Sequence, residues 1–250
     1  MRNIGCSIRN LAAGAAALVC LSAPAAAEEL EWSVNLTGTS DWIFRGLSYT
    51  NEAPAFQPNL HLTYGILYGG LWASNIDGGP LYDPFELDFY GGITPKLAGI
   101  DFDFGVIWYT YPAANAGGSM GGSYVEFKAG ASFSPFSKFT VKPVFWYTPD
   151  QEYYAETYTI ESTFAYELPA LGIFTPTVSA LIGYTEESGT GLWVANDDNY
   201  TYWNAGLSLA VEKFTFDFRY WDTNLPENAN NVYDGISDER FVFTTTVALP

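Results

Sequence analysis

Apolar and polar side chains alternate with a period of two along most of the chain. In residues 85–93, phenylalanine, leucine and isoleucine occupy odd-numbered positions, whereas Glu86 and Asp88 occupy even-numbered positions. Residues 100–108 and 214–220 repeat this pattern. Successive side chains of a β-strand point to opposite faces, so the alternation predicts strands with one apolar and one charged face. Such strands require hydrocarbon on one side and water or charge on the other.

The alternation divides the chain into twelve segments, most of them near the length of about 9 to 11 residues that a tilted strand needs to cross hydrocarbon. The predicted strands span residues 31–43, 56–64, 67–75, 85–93, 100–110, 123–133, 139–148, 154–166, 173–184, 200–211, 214–222 and 239–249. The links after even-numbered strands are short, and most of the others are long and polar. This asymmetry is typical of outer-membrane barrels, whose short turns face the periplasm. The sequence therefore predicts an all-β fold, a transmembrane antiparallel up-and-down β-barrel of about 12 strands with short periplasmic turns and longer extracellular loops.

The first 27 residues have the three regions of an export signal. Arg2 and Arg9 make the amino-terminal region positive, an apolar stretch follows over residues 11–21, and a run of alanines ends at Ala27. We expect cleavage after Ala27, which leaves residues 28–250 as one barrel domain in the outer membrane of a Gram-negative bacterium. Both cysteines lie in this leader, so the mature domain has no thiol for a disulfide or a metal site.

The mature domain is strongly acidic. The whole chain has a net charge of −18, and loss of the two leader arginines leaves about −20. Nucleic acid is excluded as a partner, because its binding depends on cationic side chains that displace counterions. Acidic pairs such as Glu186-Glu187 have carboxylates that suit divalent cations bridging to lipopolysaccharide, but a solvated rim is the preferred interpretation. We expect outer-membrane lipid, lipopolysaccharide and small solutes as partners and no cofactor or metal, with monomer and homo-oligomer both open.

The charged face of each predicted strand points into the barrel and supplies the candidate lining of a pore. The candidate lining residues are Arg45, which is predicted near a strand end, and His61, Glu86, Asp88, Asp101, Asp103, Glu126, Lys128, Lys142, Glu161, Asp217 and Arg219 on the strands. Carboxylates outnumber cations in this set, which favours a porin-like channel for small neutral or cationic solutes. The first four carboxylates lie on neighbouring strands, and we expect them to cluster toward the periplasmic half. The alternative is a closed structural or binding barrel that contacts partners or lipopolysaccharide through its loops.

Aromatic residues fall near the predicted strand ends, where their amphipathic rings would form two girdles at the membrane surfaces. The predicted girdle residues are Trp32, Trp42, Tyr64, Trp72, Tyr90, Trp108, Tyr111, Trp146, Tyr147, Tyr166, Tyr184, Tyr202, Trp203 and Trp221.

Catalysis is disfavoured by the distribution of nucleophiles and bases. A lipid hydrolase of this architecture needs a histidine base beside a serine on its outer wall. The single histidine, His61, and the neighbouring Thr63 both point inward in the predicted register. The sequence also lacks a phosphate-binding loop, a zinc-ligand cluster and a nucleophile elbow, so we expect no catalytic residues.

Residues 40–48 read Ser-Asp-Trp-Ile-Phe-Arg-Gly-Leu-Ser, residues 54–57 read Pro-Ala-Phe-Gln, and residues 69–75 read Gly-Gly-Leu-Trp-Ala-Ser-Asn. In this order they resemble the recurring motifs of the TorF family of candidate outer-membrane porins. Residues 86–92, Glu-Leu-Asp-Phe-Tyr-Gly-Gly, look like its next motif. These motifs cover mainly residues 36–111, and the resemblance implies an outer-membrane channel without an assigned solute.

Overall fold

The computed structural model describes residues 29–77, 84–112, 122–152, 154–188, 199–225 and 235–249. The predicted leader lies outside these ranges, and its cleavage remains a prediction. None of the described residues belongs to a helix that is long and apolar enough to cross a membrane.

The described residues form twelve long strands and three short ones. In chain order they are β1 (Glu31–Thr39), β2 (Ile43–Phe44), β3 (Leu47–Ser48), β4 (Ala55–Tyr64), β5 (Leu67–Asn75), β6 (Phe85–Ile93), β7 (Lys96–Leu97), β8 (Ile100–Thr110), β9 (Tyr124–Phe136), β10 (Phe139–Thr148), β11 (Glu156–Glu167), β12 (Thr175–Ser188), β13 (Asn199–Val211), β14 (Phe214–Thr223) and β15 (Arg240–Leu249). Strands β2 and β3 lie in the first long loop, and β7 lies in a short turn.

The twelve long strands form a closed antiparallel ring. Each long strand pairs with the next one along the chain, including β6 with β8. Strand β1 closes the ring against β15, in a register that runs from Val34 opposite Leu249 to Thr39 opposite Thr244. Closure leaves no free strand edge among the long strands, which is the condition for placing a sheet in hydrocarbon. The predicted twelve-stranded barrel, with its short turns at one end and long loops at the other, is confirmed.

One strand boundary differs substantially from the prediction. The first strand was expected to continue to residue 43, but β1 ends at Thr39. Beyond this point the chain leaves the wall and enters the barrel interior, and it returns to the wall at Ala55, which pairs with Thr39.

The outer surface of the barrel is apolar, as the alternation predicted. Phe85 and Phe89 on β6, Phe104 on β8 and Phe218 on β14 are all exposed. Outward rings also contact each other across strands, as between Phe218 and Phe243, whose centroids are 5.1 Å apart. Such cross-strand aromatic pairs stabilise a sheet by roughly 0.2–1 kcal/mol each.

None of the lysines and arginines in the described residues faces the hydrocarbon. Lys96, Lys138 and Lys213 lie in the short turns, where Lys96 pairs with Asp101 at 2.9 Å and Lys138 with Glu167 at 3.2 Å. The remaining cations face the barrel interior. This distribution fits a lipid-exposed exterior, because an outward Lys or Arg at mid-membrane costs about 2–4 kcal/mol.

The predicted aromatic girdle is only half correct. Outward-facing members are Trp32, Tyr64, Trp108, Tyr147, Tyr166, Tyr184 and Trp203. The other predicted members face the interior or lie in loops at the extracellular end; they are Trp42, Trp72, Tyr90, Tyr111, Trp146, Tyr202 and Trp221. For those on strands, Trp72, Tyr90, Trp146, Tyr202 and Trp221, the parity matches that of the interior carboxylates, so strand register overrides the general preference of these residue types for the membrane surface.

Adjacent positions on β11 test this parity directly. A single cysteine at Thr163, which faces inward opposite Lys142, should react with a hydrophilic maleimide in the refolded mature protein. A single cysteine at the neighbouring Phe164, which faces outward, should remain unlabelled in lipid vesicles because that reagent does not enter hydrocarbon. Equal labelling of the two positions would show that the two faces do not meet different solvents.

Candidate functional site: the barrel interior

The first long loop folds into the barrel as a hairpin made by β2 and β3. We call residues 42–49 the lumen hairpin. Its two strands pair only with each other, Ile43 with Ser48 and Phe44 with Leu47. Arg45 and Gly46 form the turn, and both have positive φ values, 52° and 84°, as the two-residue type I′ turn requires.

The base of the lumen hairpin is fixed by the buried carboxylate of Asp41. Ser48 Oγ and Thr50 Oγ1 each donate a hydrogen bond of 2.7 Å to Asp41 Oδ1. On its other side, Asp41 Oδ2 accepts a hydrogen bond of 3.2 Å from Arg240 Nη1 on β15. Both charged side chains are less than a tenth exposed, so the ion pair ties the base to the closing strand with little competition from water.

The tip of the lumen hairpin reaches the opposite wall. Arg45 Nη2 donates a 2.7 Å hydrogen bond to Glu126 Oε1 on β9. The guanidinium also lies 5.8 Å from the ring centroid of Trp146 on β10. Strand β10 is diametrically opposite β1 in the twelve-stranded ring, so the hairpin crosses the full width of the lumen. Arg45, predicted near a strand end, is instead the tip of this crossing segment.

The sides of the lumen hairpin contact the two remaining walls. On one side, the rings of Trp42 and Trp72 on β5 are 4.9 Å apart. On the other side, Leu47 packs with Tyr200 and Tyr202 on β13. A side chain at position 46 would collide with Tyr202 and with Thr223 on β14, so glycine is required by space as well as by backbone conformation.

A cavity lies beside the lumen hairpin at the extracellular end. A cavity of about 70 Å³ separates it from the wall formed by β9 to β13. Its lining includes Arg45, Tyr49, Tyr124, Tyr154, Thr185 and Tyr200. At about 10–15 Å³ for each water, this volume holds roughly five water molecules. The hairpin therefore occupies part of the interior at this level.

The candidate lining residues on the strands all have inward parity. On the periplasmic side of the lumen hairpin, Lys128 Nζ pairs with Asp103 Oδ2 at 2.6 Å. Across the barrel, Arg219 Nη2 pairs with Asp217 Oδ2 at 2.9 Å, and Arg219 also donates to Asn204 and Ser179. Lys142 faces this half without an ion-pair partner among the described residues.

The expected cluster of four periplasmic carboxylates is wrong. Asp101 and Asp103 lie at the periplasmic end of β8, as expected. Glu86 and Asp88, however, lie at the start of β6, which is its extracellular end. Because β6 and β8 are antiparallel, residues near the start of each strand are at opposite ends of the barrel.

Glu86 and Asp88 form a buried acidic pair at the extracellular end. The two residues are 2% and 6% exposed, and no Lys or Arg among the described residues pairs with either carboxylate. Tyr111 Oη donates to Glu86 Oε1 at 3.3 Å. Burial raises the pKa of the Tyr111 hydroxyl, which lies beyond the end of β8, so it stays protonated as a donor.

Two other acids accept several hydrogen bonds in the interior. Besides Arg45, Glu126 accepts from Tyr109 Oη at 3.1 Å and Thr148 Oγ1 at 3.0 Å. Glu161 accepts from Trp146 Nε1 at 2.8 Å and Tyr202 Oη at 2.7 Å. These bonds fix the acids as structural parts of the wall.

Sequence reasoning missed several interior residues. The parity that located Glu126 also places Tyr124 inside, and the parity of β15 places Arg240 inside. Asp41 carries no such signal, because it lies in a loop without periodicity. Within the described ranges, no group of three His, Cys, Asp or Glu side chains is arranged to hold a metal ion.

These features define a class of protein, the outer-membrane β-barrels. The structure is similar to that of the NanC porin, with a TM-score of 0.60 and 9% identity over 86% of this chain and all of that chain. It is less similar to LpxR from Salmonella typhimurium, with a TM-score of 0.47 and 10% identity over 87% of this chain and 99% of that chain. At such identities the likeness establishes the fold alone.

The chain belongs to the Gcw_chp family, described as bacterial proteins of unknown function, whose model matches residues 23–248. A search of curated proteins found no match. The family description assigns no activity, so the resemblance of the lumen hairpin sequence to TorF motifs stays a prediction.

The ion pair at the hairpin tip should make a large contribution to stability. Arg45→Met or Glu126→Gln should each lower the free energy of unfolding by about 3–5 kcal/mol, because each leaves a buried group without its partner. The double variant should lose less than the sum of the two. Urea unfolding of the protein refolded in micelles measures all three.

The exposed pair formed by Lys138 and Glu167 is the matched control for this cycle. Removing either of its charges should cost about 0–1 kcal/mol, because water screens it. Strictly additive costs for Arg45 and Glu126 would show that the tip contact is not formed.

Proposed function

We propose that the protein is a narrow porin of the Gram-negative outer membrane that passes small neutral or cationic solutes, with the lumen hairpin setting its bore. The observation that carries the proposal is the lumen hairpin, which crosses a lumen otherwise lined with charged and polar side chains. Arg45 at its tip contacts Glu126, so this crossing position is specified by a buried ion pair. A barrel filled only for rigidity does not need a separate loop in the lumen.

The balance of interior charge supports the preference for cationic solutes. Arg45, Lys128, Arg219 and Arg240 are each paired with a carboxylate. Glu161 adds negative charge without a Lys or Arg partner among the described residues. Glu86 and Asp88 add less than two further charges, because two adjacent buried carboxyls are not both fully ionised. Lys142 offsets only part of this excess. A ring of carboxylates favours cations and disfavours anions in a narrow pore.

The twelve candidate lining residues keep that role in the proposal, with different weights. Asp101, Asp103, Lys128 and Lys142 lie in the periplasmic half, where passing solutes would meet them. Arg45 and Glu126 lie at the constriction. The proposal assigns no catalytic residue, because His61 is hydrogen-bonded to Tyr90 and not to a serine or threonine.

A closed binding barrel is the second candidate function, and the same lumen hairpin motivates it. If the hairpin never moves, the cavity of about 70 Å³ beside it is too small for most solutes. The long loops would then carry the function by contacting lipopolysaccharide or a partner. Conductance measurements distinguish this candidate from the porin.

Removing the lumen hairpin should raise single-channel conductance in planar bilayers. Thr39 and Ala55 are paired on adjacent strands, so a short Gly-Ser linker can replace residues 42–53 without breaking the ladder, and Asp41 is kept as the partner of Arg240. Shortening the loop at residues 190–197 is the control and should leave conductance nearly unchanged. Absence of step conductance in both the unmodified protein and the hairpin-deleted variant would eliminate the porin and favour the closed barrel.

The unmodified channel should prefer potassium over chloride in a salt gradient. The double variant Asp101→Asn, Asp103→Asn should shift the reversal potential toward that of an anion-preferring pore, because it leaves Lys96 and Lys128 without their carboxylates. Lys142→Gln should shift the potential in the opposite direction. An unmodified channel that prefers chloride would contradict the proposed selectivity.

A further inference from the structure

Three aromatic rings lie side by side on the interior wall of the periplasmic half. They belong to His61 on β4, Tyr68 on β5 and Tyr90 on β6, and we call them the aromatic platform. The His61 ring centroid is 5.7 Å from that of Tyr68 and 5.8 Å from that of Tyr90, with interplanar angles of 24° and 22°. All three side chains are only partly buried, so part of the platform is accessible from the lumen.

Glycines on neighbouring strands hold the two tyrosines flat against the wall. Tyr68 is in register with Gly92 on β6 and Gly105 on β8. A Cβ at Gly92 would lie 2.6 Å from Tyr68 Oη, and one at Gly105 would also overlap this hydroxyl. The tyrosine therefore extends sideways over two adjacent strands.

Tyr90 lies flat in the same way but points toward β4. A Cβ at Gly70 would overlap the hydroxyl end of Tyr90. A ring held against the wall presents its face to the lumen, whereas a ring projecting into the lumen would present its edge. The glycines therefore create an apolar surface inside a polar cavity, with the planes of Tyr68 and Tyr90 tilted by 45° to each other.

Polar groups surround this surface. Asn59 Nδ2 donates to Tyr90 Oη at 3.0 Å, and Tyr90 Oη is hydrogen-bonded to His61 Nδ1 at 3.0 Å. At the other end, Tyr68 Oη donates to Asp103 Oδ1 at 2.7 Å, and Lys128 Nζ is 5.4 Å from the Tyr68 ring centroid. Lys128 thus adjoins the Tyr68 end, away from Tyr90 and His61.

We propose that the aromatic platform binds a neutral pyranose sugar, with the C–H face of the sugar on Tyr90 and His61 and its hydroxyls toward Asn59, Asp103 and Lys128. A pyranose has one apolar face and a polar rim, and the platform has the complementary arrangement. A cationic solute is disfavoured there because the Lys128 ammonium adjoins it. The inference deepens the proposed function by naming a solute class and rests on it for its role in transport, but binding is measurable without conduction.

Saturation-transfer NMR tests the binding step with maltotriose as the probe. The full mature protein is refolded in a phosphocholine detergent, which carries no sugar headgroup. We expect magnetisation transfer to the pyranose ring protons. Tyr90→Leu should raise the Kd roughly 2- to 10-fold, the range expected for loss of one aromatic contact. Tyr90→Phe keeps the ring and should bind within about two-fold of the unmodified protein, on the same reasoning.

Tyr184→Leu is the matched control, because Tyr184 faces the membrane and its replacement should leave the Kd unchanged. Absence of transfer to maltotriose, or transfer to choline or benzyl alcohol in its place, would overturn the sugar inference. An equal loss of binding in Tyr90→Leu and Tyr90→Phe would also overturn it, because the ring face would then not be the contact.

Bilayer recordings separate failure of the inference from failure of the proposed function. Normal conductance without maltotriose transfer would leave the porin standing and remove the sugar site. Maltotriose transfer that is weakened by Tyr90→Leu, in a protein without conductance, would support the sugar site and remove the channel.

Discussion

Closure of the hydrogen-bond ladder between β1 and β15 is the constraint on which the remaining structure depends. An unpaired backbone N–H or C=O in hydrocarbon costs several kcal/mol, so the strands are stable in a membrane only as a complete ring. Once the ring is closed, the register decides whether each side chain meets lipid or the lumen. The inward positions of Lys128, Lys142, Arg219 and Arg240 follow from that division.

Much of the fold was predictable because the signal for a membrane strand is local. Parity alone identified the lipid face of β6 and β14 and the inward positions of Glu126, Lys128 and Arg219. The prediction of the aromatic girdle was wrong at positions that were assigned from residue type and not from parity. Trp72 and Tyr90 are of the residue types that favour the membrane surface, but their strand register places them in the interior.

The lumen hairpin could not be predicted by the same reasoning. Residues 40–54 show no periodicity, and their location depends on contacts between positions far apart in sequence, such as Arg45 with Glu126 and Asp41 with Arg240. A list of inward-facing charged residues, made from the sequence, also does not show which carboxylates form ion pairs. Glu126 and Asp103, which would make the lumen more anionic, are neutralised by Arg45 and Lys128, residues that only the three-dimensional structure brings next to them.

Strands β2 and β3 pair with each other and with no strand of the barrel. The segment is anchored at its base by the ion pair of Asp41 with Arg240, and at its tip the guanidinium of Arg45 contacts the far wall. Rotation about the clamp would break side-chain contacts and a few hydrogen bonds to neighbouring loops, but no bond of the ladder. Displacement of the hairpin and separation of the barrel strands therefore depend on different contacts. Substitutions can change the stability of one without changing the stability of the other.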